Sequence, residues 1–546
     1  MRKKLISLLL CLAMTVSVCA CGDTTAGKTE TESKVVSSET MKESAATPST
    51  EQEEDKPLYP LVGEPITVKG LVMIERDLSN GRIVWDKVSE ITNVNFEWIV
   101  VNKETLPVIL AGGNWEFDFI LSSIDNTLVN DYGQEGGMFA DYNDYLEYMP
   151  HLQQTFEDYP EALKAIRETN GAIYRLPNIE ESATMTQVRP YYRKDMLKEV
   201  GYEELNTVDD FYNALKALKE KLGTPAWCPP NIYETTYLGA WLYSAFGPAV
   251  TADFDDDGTG KVVYNRISDQ YKYYLQFLNK LYEEELIDQE YLTIDNNYAK
   301  SLAMEGKTAF FAGEAHSLKE EHLNGDITNL GVLAPLTSEY DSERKVLAQL
   351  PVTVGGCFLN AESDYLVELC QVFDIMYSTE EVVEGTGLCG QSFTYGFEGV
   401  HWICNDDNTY ELVTPEGFSG SFTDFQYNEL IVANVGRATA LKGYITSTPG
   451  NGQERQKGFA ENVFPYACDN SEVFPASFLK FTPDEQTVIT NKFTDIHKYT
   501  DEMKAKFITG VKDIDTEWEE YCSTVEQMGL ADVLDMYQAA YDRWNQ

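Results

Sequence analysis

The chain holds 546 residues, with 42 Lys and Arg against 89 Asp and Glu, for a formal charge of -47 at neutral pH. A field of that sign repels polyanions, whose binding rests on basic groups that neutralise phosphates, so nucleic acid is excluded as a ligand. The length exceeds what one hydrophobic core normally organises, which makes two lobes the expectation, and 33 Tyr, 25 Phe and 8 Trp leave aromatic material for a recognition surface once the cores are filled.

Arg2, Lys3 and Lys4 form a basic start, residues 5–20 form an apolar run with small residues near its end, and the first acidic side chain is Asp23. This is the layout of a secretory signal, and the run falls short of the roughly 20 apolar residues that a spanning helix needs. Val18-Cys19-Ala20-Cys21 resembles the bacterial lipobox, in which the thiol receives a diacylglycerol before cleavage. The resemblance implies that residues 1–20 are removed, that Cys21 carries the lipid, and that acyl chains such as palmitate anchor the protein on the outer face of the cell membrane, each buried methylene contributing about 0.8 kcal/mol. The alternative is an ordinary secreted protein with an incidental cysteine. Residues 21–58 are rich in Thr, Ser, Glu and Lys with almost no large apolar side chains. Such a stretch buries too little surface to offset its ordering entropy and is expected to be a disordered tether, spanning roughly 30–35 Å as a flexible chain. No later apolar run is long enough to cross a bilayer.

Past the tether, "EPITVKGLVMI" (64–74) reads as a strand, followed by a helix over 82–92, a strand "VNFEWIVV" (94–101), a helix over 104–111 and a fully apolar strand "FDFILSS" (117–123). Strands alternating with helices imply parallel βαβ units, and in open sheets of that kind ligands sit beyond the carboxyl ends of the strands. In the body, Cys228, Cys357, Cys370, Cys389, Cys404, Cys468 and Cys522 are odd in number and widely spaced, with no CxxC pair. Neither a disulfide framework nor a zinc knuckle is suggested; buried free thiols are expected, with a Cys389–Cys404 bridge left open.

Several stretches, taken in order, carry a resemblance. They are "LAGGNWEFDFILSS", "YGQEGGMFADYNDYLE", "TNGAIYRLPNI" with Asn170 where an Asp is usual, "YYRKDMLKEVGYEELNTVDDFYNALKALKEK", "FLNKLYEEELIDQEYLT", "LAMEGKTAFFAG", "YGFEGVHW" and the tail from "FLKFTPDEQ" to "AAYDRW". From about residue 64 to the C-terminus the chain resembles bacterial extracellular solute-binding proteins of family 1, in the LplA-like oligosaccharide-binding branch. Asn170 and the missing Pro before Asp118 depart from the pattern, departures that bear on local loop shape and not on fold. The resemblance implies an α/β fold of the two-lobed, periplasmic-binding-protein-like type II, with discontinuous lobes joined by hinge strands. With crossings placed near 185, 300 and 385, the N-terminal lobe takes residues 59–185 and 300–385 and the C-terminal lobe 186–299 and 386–546. It also implies a monomer that closes over an oligosaccharide and delivers it to the permease subunits of an ABC importer, touching the membrane only through its anchor.

A sugar ring presents an apolar C–H face and a rim of hydroxyls, so its site requires aromatic planes and side chains that exchange several hydrogen bonds. By place in the matched motifs the candidate ligand-binding residues are Asp77 after the first strand, Ser122 and Asp125 after the third, Arg193 at the entry to the second lobe, and Tyr395, Glu398 and Trp402. Trp115, Trp227, Tyr233 and Trp241 join them on residue type alone. For each, simple burial or surface exposure is the competing reading.

"DFDDDGTG" (253–260) alternates Asp253, Asp255 and Asp257, a spacing that could place three oxygens around a structural calcium. The twelfth position from Asp253 is Tyr264 where an EF-hand needs Glu, so a solvated acidic turn competes. His316 and His322 are six apart, not the i, i+4 pair that puts two imidazoles on one helical face, and zinc is set aside. No G-x-S-x-G elbow, HExxH or P-loop occurs, and with so many carboxylates the pairs needed for glycoside hydrolysis carry no signal. The expectation is a binding protein with no catalytic residues and no required cofactor. The rival readings are an extracellular glycan-active enzyme and a peptide-binding or signalling lipoprotein.

Overall fold

The computed structural model describes residues 58–73, 82–113, 115–180, 190–229, 237–311, 315, 318–348, 350–405, 410–419, 422–430, 432, 435–438, 452–469 and 473–546. The signal segment, Cys21 and all but the last residue of the expected tether lie outside the described residues. Among the described residues no helix is long and apolar enough to cross a membrane.

Strand β1 (Ile66–Met73) runs parallel to β2 (Val94–Val101) and β3 (Phe119–Leu121), and β11 (Cys357–Leu359) lies antiparallel beside β3, in the order β11-β3-β1-β2. Successive side chains of a strand point to opposite faces. Val68, Val72, Phe119, Leu121 and Leu359 therefore enter one core layer with Val84, Trp85 and Val88 of the helix Ile83–Thr92. Leu71, Ile120 and Phe358 enter the other with Leu106 and Leu110 of the helix Leu106–Gly112. Cover on both faces is what makes a parallel sheet stable. β3 is shorter than the seven-residue run expected because side chains close its ends: the Asp118 carboxylate accepts the Lys69 N–H at 2.7 Å and the Ser122 hydroxyl accepts the Met73 N–H at 2.6 Å.

A second core forms around β5 (Tyr191–Arg193), which lies between β8 (Phe310–Phe311) and β9 (Leu330–Val332), antiparallel to both. Helix Val208–Leu222, started by a Thr207–Asp210 capping box, buries Phe211, Leu215 and Leu218 there. Three C-terminal helices, Pro483–Ile508, Ile514–Gln527 and Leu530–Trp544, add Ile496, Phe507, Tyr521 and Val533.

The two cores are joined by a small sheet of their own, β10 (Val352–Val354), β4 (Pro177–Glu180) and β14 (Gly436–Ala438), in the order β10-β4-β14. Leu176 and Val435, just before β4 and β14, belong to the first core, whereas Tyr191 and Phe459 beyond them belong to the second. Val346 before β10 belongs to the second core and Cys357 after it to the first. Strands leaving the first lobe should thus be parallel to each other and antiparallel to the one returning, and β14 is parallel to β4 while β10 is antiparallel. Ile179 and Val352 pack together with Ala162, Ala165 and Phe478 in a separate small core, and the Tyr377 hydroxyl donates to the Pro177 carbonyl at 2.5 Å.

These cores divide the chain elsewhere than at 300 and 385. Phe310, Leu330, Leu336 and Val346, expected in the N-terminal lobe, lie in the second core, because β8 and β9 are the partners of β5. Phe393, Phe422 and Leu430, expected in the C-terminal lobe, lie in the first core. Asn170 stands in the Asp place at a tight turn: its side-chain oxygen accepts the Ala172 N–H at 3.0 Å, and Gly171 takes the left-handed conformation (φ 86°). The seven body cysteines are free, with Cys228, Cys357 and Cys370 buried, Cys404 exposed and the other three between. Cys389 and Cys404 are not bridged.

Gly356, between β10 and β11, packs against the backbone at the end of β3. A Cβ there would lie 2.1 Å from the Ser122 carbonyl carbon and oxygen, and that wall is main chain that cannot swing aside. Gly356→Ala is expected to destabilise the protein by about 3 kcal/mol, at the upper end of ordinary overpacking, as measured by chemical denaturation.

Candidate ligand-binding site

The carboxyl ends of β1 and β3 are tied to each other through Ser122. Its hydroxyl accepts from Met73 and donates to the Leu121 carbonyl at 2.7 Å, and the residue is 4% exposed. Ser122 thus shapes the strand ends. Asp125 is exposed and caps the short helix Asn126–Val129, accepting the Thr127 N–H at 2.8 Å. Asp77 lies outside the described residues.

Beyond β1 the chain returns at Arg82, 1% exposed, whose guanidinium donates to the carbonyls of Tyr427 (3.1 Å) and Asn428. The Gln426 side chain donates to the Thr394 carbonyl at 2.8 Å, which carries the framework on to the turn Ser392–Tyr395. There Tyr395 is half-buried on the first core and Glu398 is exposed. Trp402 starts β12 (Trp402–Cys404), the partner of β13 (Tyr410–Leu412), and its indole N–H donates to the Gly396 carbonyl at 3.1 Å. His401 Nδ1 accepts the Phe397 N–H at 3.0 Å, and burial lowers the imidazole pKa, which keeps the ring neutral for that role. Arg82 and the exposed Tyr427 were not anticipated; a buried arginine that fixes a loop has no sequence signature of its own.

The remaining candidates are placed elsewhere. Trp115 precedes β3, on the amino-end side of the strand opposite Ser122; it stacks on Phe117 (5.1 Å between ring centres) and donates its N–H to the Leu110 carbonyl at 3.2 Å. Trp227 and Trp241, 2% and 0% exposed, meet Phe211 edge-on in the second core, and the Trp241 N–H donates to the Ala334 carbonyl at 2.9 Å. Trp227 and Trp241, chosen by type alone, are core side chains, a common use of large aromatics. Arg193, also buried, pairs through two nitrogens with Asp195 (2.8 and 2.6 Å) and donates to the His322 carbonyl at 2.9 Å, pinning the following turn to β5. Tyr233 lies outside the described residues. The second lobe also holds a cavity of about 550 Å³ that includes Tyr192, Tyr202, Asn206, Arg344, Asn462 and Tyr466 in its lining. Arg344 lies 5.7 Å from the centre of the Tyr466 ring and donates to the Asn206 side chain, a combination of planes and amides that no contiguous motif announced.

The three carboxylates of the acidic run do not converge. Asp253 pairs with Arg266 at 2.8 Å, Asp255 accepts the neighbouring Asp256 N–H at 2.9 Å, and Asp257 accepts from the Thr259 N–H and hydroxyl at 2.9 and 2.6 Å. They build the hairpin of β6 (Phe254–Asp256) and β7 (Val262–Tyr264). Among the described residues no group of three His, Cys, Asp or Glu side chains could hold a metal ion. His316 lies outside those residues, and His322 Nδ1 accepts the Lys319 N–H at 3.0 Å.

Comparison with known proteins places these features in a wider set. Residues 87–335 match the family described as Bacterial extracellular solute-binding protein, and residues 477–546 match a domain of unknown function, DUF3502. The chain is 25% identical over 430 residues to the fructooligosaccharide ABC transporter substrate-binding protein FusA of Streptococcus pneumoniae serotype 4, covering 73% of this chain and 74% of that one. Among solved structures, an extracellular solute-binding protein from Bifidobacterium longum subsp. infantis superposes with a TM-score of 0.73 at 19% identity, over 89% of this chain and 99% of that one. An HMO binding ABC-transporter associated solute binding protein from Bifidobacterium longum infantis superposes with a TM-score of 0.71 at 18% identity, over 89% and 100%. The type II periplasmic-binding-protein-like fold is common to all of them.

Burial pushes the Asp255 carboxyl up to about 6. A carboxyl whose folded pKa exceeds its unfolded value costs nothing below about pH 4, where both states are protonated, and opposes folding increasingly as pH rises to about 6, above which the cost is constant. Asp255→Asn, which keeps the shape without the charge, is expected to stabilise the protein by about 2–3 kcal/mol at pH 7 and to leave it unchanged near pH 4, read by urea denaturation at the two pH values.

Proposed function

We propose that this chain, whose residues 87–335 match the bacterial extracellular solute-binding proteins, is such a protein, capturing an oligosaccharide between its two lobes and handing it to the permease of an ABC importer. The observation that carries the reading is the β10-β4-β14 sheet, whose strand directions follow the passage of the chain between two separate cores. Such a connection permits rotation about a few residues, and closure requires only that solute bind the shut form more tightly than the open one. FusA is named for fructooligosaccharides, and that ligand class is taken as the first probe for this chain.

Solute contact is assigned to Asp125, Tyr395, Glu398 and Tyr427 of the first lobe and, on the sequence alone, to Asp77 and Tyr233, which lie outside the described residues. Ser122, Arg193 and Trp402 support the site through the hydrogen bonds described above. The reading asks for no covalent step and no cofactor. The lipidated Cys21 tethers a monomer to the outer face of the membrane, which keeps captured solute within reach of the permease.

A short-chain fructooligosaccharide at 100 times its dissociation constant is expected to stabilise the protein by about 2.7 kcal/mol, with no shortened sugar released. Product release would support a glycan-active enzyme instead, and stabilisation by peptides but no saccharide would support a peptide-binding lipoprotein. Tyr427 is 56% exposed, so Tyr427→Ala should weaken saccharide binding about tenfold, some 1.4 kcal/mol, while leaving the unliganded melting temperature unchanged in calorimetry. Cys21→Ala should move the full-length protein from the membrane fraction to the medium, followed by immunoblot.

A further inference from the structure

Residues 477–546, the stretch that matches a domain of unknown function, touch both lobes. Their grip on the second is broad. Met503, Phe507, Tyr521, Leu530 and Val533 are buried in its core. Polar contacts add to this: Arg266, 2% exposed, pairs with Asp501 at 2.5 Å, the Tyr521 hydroxyl donates to the Arg266 carbonyl at 3.0 Å, and Gln538 accepts the Val262 N–H at 2.8 Å. Tyr537 stacks on Phe254 with 3.7 Å between ring centres.

The contact with the first lobe is small and specific. Phe478 packs with Ala162 and Ala165 of the helix Pro160–Ile166 and with Ile179 and Val352 of the hinge strands. Trp544 stacks on Phe478 at 5.9 Å, and its carbonyl accepts from Lys164 at 2.9 Å. Lys480 donates at 2.9 Å to the same Glu168 oxygen that accepts from Arg175 at 3.1 Å. The Glu168 side chain is 4% exposed and that of Lys480 12%. Arg543 holds the Lys480 carbonyl at 2.8 Å and is itself paired with Glu485, so the lysine is aimed from the second-lobe side. Burial and the neighbouring Arg175 charge bring the Lys480 ammonium down to about 8, as expected of a dry, cation-crowded position where Glu168 is the balancing charge.

We infer that the C-terminal segment is a hinge brace: built into the second lobe, it sets one foot, Phe478, Lys480 and Trp544, against the first lobe and the hinge strands, and so fixes the angle at which the lobes rest before solute arrives. This rests on the lobe motion proposed above. A charge pair out of water changes energy steeply over an ångström or two, and this one has a member on each moving body. Rotation about β4, β10 and β14 must therefore compress or part it, and the foot biases every angle the hinge can reach.

The full chain without ligand tests this independently of which solute it carries. Val108 in the first lobe and Val511 in the second, 69% and 71% exposed, can carry fluorophores on unnatural side chains, leaving the native thiols untouched. Single-molecule energy transfer between them should show that Lys480→Met and Glu168→Gln each change the ratio of the short-distance to the long-distance population by about tenfold, within the usual range of coupling between sites. The double variant should move it no further than the larger single change. Lys492→Met, which removes an ion pair with Asp532 inside the segment, should leave the distribution in place. A Lys480→Met distribution that superposes on the parent, or a Lys492→Met shift of equal size, would overturn the brace, whereas a protein that binds no saccharide would still be expected to show it.

Discussion

β4, β10 and β14 hydrogen-bond to one another at the places where, among the described residues, the chain leaves one hydrophobic core for the other. Backbone polar groups in such a passage have to be satisfied, and a three-strand sheet does this for all the crossings together. Three short strands also leave few dihedrals to absorb a rotation, so a change of angle moves each lobe as a body. The sheet and loop order of the first lobe and the aromatic core of the second acquire a functional meaning through this link: each is a rigid half of a clamp.

Rigid halves require their polar side chains to be committed before solute binds. Ser122 joins two strand ends, Arg82 holds the 427–428 carbonyls, Arg193 grips Asp195 and the His322 carbonyl, and the Trp402 indole closes its own turn. Groups fixed in this way lose little freedom on binding, which is how a preorganised surface gains affinity. Asp125 and Glu398 stand exposed beside that framework, suited to accept hydrogen bonds from hydroxyl groups. Neutral polyols are also the solutes that a chain of charge -47 neither repels nor attracts at long range.

The first lobe was legible to within a residue or two because its periodicity is strong: strands over 64–74 and 94–101 correspond to β1 and β2, and the helix over 82–92 to Ile83–Thr92. The crossings placed near 300 and 385 were not. Phe310 to Val332 could pair in either lobe by pattern alone, and only the antiparallel partnership with β5 decides. Trp227 and Trp241 illustrate a second limit, since a tryptophan in a core and one on a sugar have the same local sequence. The acidic run shows a third: alternating aspartates describe ligand spacing and hairpin chemistry equally well until Arg266, distant in the motif, claims Asp253. Ser122, Arg193 and Trp402 were named as ligand contacts by position in motifs, and each hydrogen-bonds the protein's own backbone.

If β4, β10 and β14 act as a hinge, the lobes approach each other when solute binds. Small-angle X-ray scattering of the full chain, alone and saturated with a short-chain fructooligosaccharide, reads this directly. Hinge closure should give a smaller radius of gyration and a shorter maximum dimension in the saturated sample. Identical scattering curves from a sample shown by calorimetry to be fully bound would contradict it.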